Sequence, residues 1–333
     1  MKRHLSIIYW VLLMTGLVKS AQAQIDPHFS QYYIQPMTMN PAFTGAFDGD
    51  YRVSGIWRSQ YGNTLNTKGL SAEKTSNKNA NFGVNIVNQS SSDGAYNYTN
   101  GYLTFAYTGV RFGENSDHYL VMAMQIGFLS RKFDITKMQF GSQWSSGVGY
   151  DASNPSNETF LKPQVTSFDA GAGIAYYDAT PNRTASVFGG VSAFHITQPD
   201  NPYLTNGNQS KLDIRYSVQA GVRITASDQL SIVPTAIYMK QGDAQEKMAG
   251  MYFQVYASES TDVMFGAYYR VKDAIAPFVG FFYKGLTMGL SYDVDASAKS
   301  AAGSKGNSLE ISISYVGKRK SNMGTPRFWC PRF

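Results

Sequence analysis

Histidine and cysteine, the residue types that most often perform catalysis or bind metal ions, are scarce in this sequence. The 333 residues contain four histidines and a single cysteine. The short motifs of metalloproteases, serine hydrolases, phosphate-binding loops and dinucleotide-binding folds are all missing from it. We therefore expect no catalytic residues, no cofactor-binding residues and no metal ligands, and we predict that the protein is not an enzyme.

The individual histidine and cysteine positions support this view. His118 and His195 fall at the ends of predicted strands, and neither is flanked by a nucleophile motif. We interpret His195 as a polar residue near one rim of the fold. Cys330 has no second cysteine with which to form an internal disulfide. It is expected to pair with another chain, to accept a lipid or to remain a free thiol, and the sequence leaves these alternatives open.

The first 23 residues have the pattern of a secretory signal peptide. Basic residues at positions 2–4 precede an apolar run over 5–18, and a small-residue cleavage site follows, so cleavage is expected before Gln24. A transmembrane anchor is the alternative, but the apolar run is short for a bilayer span. Loss of the leader lowers the formal net charge from +6 to +3, because the leader holds three basic residues and no acid. This modest charge argues against a nucleic-acid partner.

Composition and periodicity predict that the remaining chain forms a β-barrel in a membrane. Charged residues are 16% of the sequence, whereas soluble domains usually carry about a quarter. Segments of roughly ten residues alternate between apolar and polar side chains, which is the periodicity of a strand. We predict an all-β fold, a transmembrane antiparallel β-barrel of about fourteen strands. They lie near 51–61, 66–75, 80–89, 96–110, 118–132, 165–177, 184–196, 211–225, 229–240, 248–257, 261–271, 275–284, 286–296 and 307–318.

The two faces of the predicted strands differ in a way that suits a membrane. One face carries Leu, Met, Ile, Val and Tyr, and the other carries mainly Gly, Ser, Thr, Gln, Asn and Ala. The first face suits lipid and the second suits a lumen. Few charged residues fall on the expected lumen face, among them Asp169, Asp213 and Arg223, so the charged constriction of a porin is not expected.

The predicted connections between strands are short on one side and long on the other. The long connections are Asp134–Gln164, Thr197–Ser210 and Ser297–Gly306. Short connections normally lie in the periplasm, and an even number of strands places both chain termini on that side. We therefore expect both termini in the periplasm and the long loops outside the cell.

Two regions lie outside the predicted barrel, which spans residues 51–318. Residues 24–50 contain three prolines and several aromatic residues. We predict that they plug the lumen or cap its periplasmic mouth. Residues 319–333 form a basic, aromatic tail that is predicted to lie in the periplasm.

Two short stretches are candidates for contacts with protein partners. Asn40, Pro41 and Gly45 form a predicted turn before the first strand, for which both a structural role and a partner contact are considered. The tail is either a solvated end or a docking peptide, and Phe333 is either an assembly signal or a partner signal. The candidate docking residues of the tail are Arg327, Phe328, Trp329, Cys330, Pro331, Arg332 and Phe333.

Three stretches of the sequence resemble the PorP/SprF family. The first reads Asp26-Pro27-His28-Phe29-Ser30-Gln31-Tyr32-Tyr33 and continues to Met39-Asn40-Pro41-Ala42-Phe43-Thr44-Gly45. The second is Trp57-Arg58-Ser59-Gln60-Tyr61, and the third is the terminal Cys330-Pro331-Arg332-Phe333. The resemblance covers both ends of the chain, and the barrel pattern between them is compatible with it.

This resemblance implies an outer-membrane barrel of the type IX secretion system of Bacteroidetes. Members of the family assist the export or surface attachment of large adhesins and enzymes with C-terminal sorting domains, and some serve gliding motility. The implied partners are outer-membrane lipid, other type IX secretion components in the periplasm, and a secreted cargo or surface adhesin. The alternative function is an outer-membrane transport channel, either porin-like or for hydrophobic solutes.

Overall fold

The structure, a computed structural model, describes residues 26–317 except 77–78, 146–148, 157–161, 206–207, 259 and 297–305. The predicted signal peptide and the basic tail lie outside the described residues. Among those that are described, no helix has the length and apolarity needed to cross a bilayer. The strands are β1 (Tyr51–Gln60), β2 (Leu65–Lys74), β3 (Ala80–Ser91), β4 (Tyr96–Phe112), β5 (His118–Phe133), β6 (Trp144–Ser145), β7 (Gly149–Tyr150), β8 (Gln164–Asp178), β9 (Ala185–Phe194), β10 (Asp200–Thr205), β11 (Asn208–Lys211), β12 (Arg215–Ser227), β13 (Leu230–Gln241), β14 (Ala244–Ser258), β15 (Thr261–Arg270), β16 (Ala274–Tyr283), β17 (Leu286–Asp295) and β18 (Ser308–Gly317).

Fourteen of the described strands form one closed antiparallel barrel, which confirms the predicted fold class. Each barrel strand pairs with the next one along the chain, and β18 closes the ring against β1. This closure extends from Tyr51 opposite Gly317 to Gln60 opposite Ser308. The other four strands form two small sheets, β6 with β7 and β10 with β11, within long connections.

Alternating side chains along each strand separate a lipid face from a lumen face. In β18, Ile311, Ile313 and Tyr315 are about half exposed on the outside of the ring. Glu310 and Ser312 point to the inside and are buried. Apolar side chains exposed in such numbers around a closed ring are stable in contact with lipid and not with water.

Large lumen-facing rings stand opposite glycines on the neighbouring strand. Tyr252 faces Gly266 and Tyr268 faces Gly250 across the pair β14–β15. A Cβ atom on Gly266 would lie 2.7 Å from the Cα atom of Tyr252, so a larger residue would crowd that tyrosine. Each glycine leaves space for the tyrosine ring that faces it on the neighbouring strand. The ring in turn covers the strand backbone at the glycine, which has no side chain of its own to cover it.

The barrel has two different ends, which we name by their connections. At the turn end, the connections are 75–79, 113–117, 179–184, 228–229, 259–260 and 284–285. At the loop end, they are 61–64, 92–95, 134–163, 195–214, 242–243, 271–273 and 296–307. The long connections therefore all lie at one end, as the sequence predicted.

Residues 26–50, which we call the lumen segment, run through the barrel from the loop end to the turn end. Asp26 contacts Gln241 and His195 at the loop end, and the segment joins β1 at the turn end. Between these ends it forms three short 3-10 turns, and most of its side chains are buried. The turns are Tyr32–Ile34, Pro36–Thr38 and Pro41–Phe43.

The two ends of the described chain lie at opposite ends of the barrel, and the predicted periplasmic location of both chain termini, which fall outside the described residues, stays a prediction. The last strand ends with Gly317 at the turn end, whereas Asp26, two residues after the predicted mature start at Gln24, lies at the loop end. An even number of strands fixes the position of the first strand relative to the last. It does not fix a preceding segment that is long enough to cross the lumen.

Candidate functional site

Prolines and one capping asparagine shape the lumen segment locally. Pro36 and Pro41 each begin a 3-10 turn, a position where the missing backbone N–H costs nothing. Asn40 caps the turn that Pro41 begins, because its Oδ1 atom accepts a hydrogen bond of 2.9 Å from the Ala42 backbone N–H. These signals favour a coiled path over an extended strand, so the segment presents side chains to the wall in all directions.

At the loop end, a histidine joins the lumen segment to the barrel wall between two carboxylates. His195 is 2% exposed, and its Nδ1 atom lies 2.5 Å from Asp169 Oδ2. Its Nε2 atom hydrogen-bonds to Asp26 Oδ2. The backbone N–H of Asp26 donates to Gln241 Oε1 at 2.9 Å. We call Asp26, Asp169 and His195 the histidine cluster.

The charges of the histidine cluster stabilise one another. Burial lowers the pKa of His195, but the attraction of Asp26 and the hydrogen bonds to both carboxylates outweigh it and raise this pKa to about 9. Asp26 is attracted in turn by His195 and by Arg131, whose Nη2 atom lies 3.5 Å from Asp26 Oδ1. His195 and Asp26 are therefore both charged at neutral pH, and their hydrogen bond is of the strong, charge-assisted kind.

A second group of charges lies slightly deeper in the lumen. Arg58 and Arg270 both contact Asp293 Oδ2, at 2.8 and 2.5 Å, and Arg58 Nε lies 3.3 Å from Glu310 Oε1. All four side chains are buried. We call them the arginine cluster. Its members come from β1, β15, β17 and β18, so it forms only when the ring closes.

The arginine cluster completes its hydrogen bonds with the main chain of the lumen segment. The two carboxylate oxygens of Glu310 accept the backbone N–H groups of Ser30 and Gln31 at 2.8 and 3.0 Å. Arg270 Nη1 donates to Ser30 Oγ at 2.8 Å. A buried charge is strongly destabilising unless it is paired and fully hydrogen-bonded, so the segment and the wall stabilise each other here.

The expectation that the lumen face is poor in charges is wrong. Besides the two clusters, Arg52 and Glu73 form a buried ion pair at 2.6 Å in the turn-end half of the lumen. In the sequence, such residues are thinly spread: β1 carries Arg52 and Arg58, and β18 carries only Glu310 among its serines. Their convergence depends on the closure of the ring, which local periodicity does not report.

The middle of the lumen segment packs against aromatic side chains of the wall. The ring of Tyr33 lies 5.5 Å from that of Phe278 and 6.3 Å from that of Tyr252, between centroids. The ring of Tyr32 lies 5.5 Å from that of Tyr268. Aromatic pairs at such distances add roughly 0.5–1.5 kcal/mol each beyond the burial of their area. The segment is thus held by ionic contacts near the loop end and by aromatic packing at its centre.

The three predicted site residues of the lumen segment lie inside the barrel. Asn40 is 0% exposed, and its Nδ2 atom donates to the Ile174 carbonyl at 3.1 Å. Pro41 is buried beside it. Gly45 has a φ of +79°, which side-chain-bearing residues rarely adopt, and its N–H donates to Glu73 Oε2 at 2.9 Å. In this structure all three contact the barrel's own wall.

The other predicted site residues, 327–333, lie outside the described residues. The sequence interpretation missed Asp26 and the four residues of the arginine cluster as site residues, and it did not bring Asp169 and His195 together. The sequence held one signal for this site, because the first two family-like stretches both contribute to it. In the structure these stretches meet, and Arg58 Nη1 donates to the His28 carbonyl at 2.8 Å. His195 was placed correctly near a rim, but its two carboxylate partners were not foreseen.

The clusters have the composition of a structural anchor for a polypeptide. Among the described residues, no group of three or more His, Cys, Asp or Glu side chains is arranged to hold a metal ion. Charged groups that bind backbone N–H and carbonyl groups fix the position and register of a segment. The arrangement can therefore hold residues 26–50 in the lumen.

The variant His195→Gln is expected to lower the stability of the barrel in a pH-dependent way. Because folding raises the pKa of His195 from 6.5 to about 9, its stabilising charge is complete below pH 6.5 and is lost as the pH rises through 9. The difference in melting temperature between wild type and variant should be largest at the acidic end of this range and shrink above pH 9. His118→Gln, outside the cluster, is the control, and a difference that stays constant with pH contradicts a charged His195.

Comparisons with solved structures show the fold of this barrel. The toluene transporter TodX of Pseudomonas putida is 8% identical, and the match covers 88% of this chain and 95% of that chain with a TM-score of 0.50. The toluene transporter TbuX of Ralstonia pickettii is 10% identical over 84% of this chain and 92% of that chain, with a TM-score of 0.48. A comparison with curated proteins gave no match. At these identities the likeness concerns the fold alone.

The family comparison covers nearly the whole chain. The model described as "Type IX secretion system membrane protein PorP/SprF" matches residues 21–315, which include the lumen segment and the barrel strands up to most of β18. The chain therefore belongs to the PorP/SprF family of type IX secretion system membrane proteins, and its fold is an outer-membrane β-barrel.

Proposed function

We propose that this protein assists the secretion or cell-surface attachment of proteins with C-terminal sorting domains, through contacts with protein partners. The observation that carries the proposal is the lumen segment, which occupies the barrel and is hydrogen-bonded to buried charges of the wall. A lumen filled in this way leaves the two ends of the barrel as the surfaces available to partners. The cargo classes are those of the family: adhesins, including those of gliding motility in Bacteroidetes.

The loop end offers a structured surface for such a cargo. The connection 134–163 contains the small sheet of β6 and β7, which is held by hydrogen bonds such as Gln143 Nε2 to the Asn154 carbonyl at 3.1 Å. Trp144 is 56% exposed on this sheet and lies beside Tyr150, with ring centroids 5.9 Å apart. Exposed tryptophan and tyrosine are the residue types that most often dominate protein interfaces.

The turn end is proposed to face the periplasm, because short connections lie there in known barrels. In this orientation Asp26 reaches the cell surface through the lumen, and β18 delivers residues 318–333 to the periplasm. An epitope inserted between Gln24 and Ile25 should bind antibody on intact cells. An epitope after Gly317 should bind only after the outer membrane is permeabilised.

Two internal epitopes serve as references for this topology experiment. An insertion between Ala152 and Ser153 marks the loop end, and an insertion between Asn115 and Ser116 marks the turn end. Equal accessibility of the epitopes near Gln24 and after Gly317 on intact cells would contradict the crossing of the lumen segment.

The basic tail is proposed to dock other secretion components in the periplasm. Its candidate residues, Arg327 to Phe333, combine arginine with aromatic side chains, as protein interfaces do. Truncation after Lys320 should leave a folded, heat-modifiable barrel in the outer membrane but abolish co-purification of periplasmic components. Tail variants with all three aromatic residues replaced by Leu separate aromatic from charge contributions. Unchanged co-purification after truncation refutes docking by the tail.

The alternative function, a transport channel, is favoured by one observation: the lumen carries charged residues, as porins do. These charges are bonded to the lumen segment, so the purified wild-type barrel should show no large stable conductance in planar bilayers. Deletion of residues 26–46 should produce large channels, because the segment then no longer occupies the lumen. Large channels from the wild-type protein would instead support transport.

The lipid-face variant Val279→Leu controls for the bilayer measurement, since it changes the wall and leaves the lumen untouched. Glu310→Gln is the sharper lumen variant. It keeps the shape of the side chain but replaces a charge that accepts two backbone N–H groups. Planar-bilayer recordings of Glu310→Gln should show more frequent brief channel openings than those of the wild type. The fully open channel should have the same conductance as the channel of the deletion variant.

A further inference from the structure

A small polar cavity remains between the lumen segment and the wall in the loop-end half of the barrel. Its volume is about 20 Å³. Side chains from β3, β4, β5, β9 and β12 line it on the wall side, and Asp26 and Thr38 line it on the side of the lumen segment. The cavity lies next to His195, which is part of its lining.

Four buried polar atoms of this lining have no hydrogen-bond partner among the described residues. Two are acceptors, Asn85 Oδ1 and Asn100 Oδ1, and two are donors, Gln125 Nε2 and Arg215 Nε. Asn85, Gln125 and Arg215 are each no more than 5% exposed. Leaving such atoms without a partner is one of the most unfavourable arrangements in a protein interior.

The orientation of two of these side chains is fixed by other contacts. Asn100 Nδ2 donates to the Tyr98 hydroxyl at 2.9 Å, which turns Asn100 Oδ1 away from that bond. Arg215 Nη2 donates to the Thr38 carbonyl at 3.0 Å, and the guanidinium lies over the Phe194 ring at 4.1 Å from its centroid. One acceptor and one donor at the cavity are therefore set by the surrounding structure.

The chemistry of the lining selects the ligand. Two donors and two acceptors complement the two lone pairs and two hydrogens of water. An anion would face the amide oxygens of Asn85 and Asn100, and a cation would face the donors of Gln125 and Arg215. A cavity must offer roughly 10–15 Å³ to hold one water, and this cavity offers little more, so phosphate and sugars are too large.

We propose that one ordered water molecule occupies this cavity and bridges β3, β4, β5 and β12. This water supports the wall contact of the turn Pro36–Thr38, because Arg215 both lines the cavity and donates to the Thr38 carbonyl. On this side the water would fix Arg215, which holds the turn directly, and on the side of β14–β16 the segment is held by aromatic packing. A water-mediated contact satisfies polar groups nearly as well as a direct one.

A crystal structure at a resolution that shows ordered water tests the proposal directly. A single peak within about 2.6–3.2 Å of Asn85, Asn100, Gln125 and Arg215 supports it. Absence of a peak in well-defined density overturns it. Crystals soaked in sodium bromide distinguish water from a halide, since an anomalous bromide peak at this position would replace water by an anion and also overturn the proposal.

The variant Gln125→Met tests the proposal in solution, because methionine has nearly the shape of glutamine without its donor. If water binds there, the variant loses a hydrogen bond, the melting temperature falls and the peak disappears. If the cavity is dry, the variant removes an unpaired donor and the melting temperature rises, which would overturn the proposal. Thr104→Val, at the cross-strand neighbour of Gln125 and outside the lining, is the control and should retain the water peak.

Discussion

Buried charge in a narrow lumen is the constraint on which the rest of this structure depends. An unpaired ion in such surroundings costs several kcal/mol, so every charged side chain on the lumen face needs a partner. The wall supplies part of the partnership, as between Arg58 and Asp293. The lumen segment supplies the rest, through the backbone N–H groups that Glu310 and Glu73 accept. The charged wall and the polar main chain of the segment therefore stabilise each other as one folded unit.

Along the lumen segment, hydrogen bonds to fixed acceptors set the register, and aromatic contacts contribute packing. The segment has no strand ladder to fix its register, so fixed acceptors do so instead. A shift by one residue would move the N–H groups of Ser30 and Gln31 away from Glu310. It would also place a residue with a side chain at the backbone position of Gly45, where φ is +79° and glycine is favoured. Tyr32 and Tyr33 add burial at the centre, where aromatic contacts tolerate small displacements better than hydrogen bonds do.

Local patterns predicted the strands well, and long-range contacts were beyond them. The last strand was predicted near 307–318 and is observed as Ser308–Gly317. The prediction succeeded because consecutive residues alternate between apolar side chains that face lipid and polar side chains that face the lumen. Asp26 and His195 are separated by 169 residues in sequence, and Ser30 and Glu310 by 280. Nothing local marks Glu310 as the acceptor for Ser30 among the serines of its strand. The location of Asp26 at the loop end follows from these same contacts, so it was missed with them.

The anchored lumen segment also explains why the fold alone says little about function. The likeness to the toluene transporter TodX, at 8% identity, concerns the fold, whereas the contacts of the lumen segment depend on individual side chains such as His195 and Glu73. The segment ties His195, which begins the connection 195–214, to Glu73 in the turn-end half of the lumen. Because the lumen segment is bonded to the barrel wall near the loop end and in the turn-end half, it links the two ends of the barrel. Such a frame suits the function proposed above, because it presents a different surface at each end of the barrel.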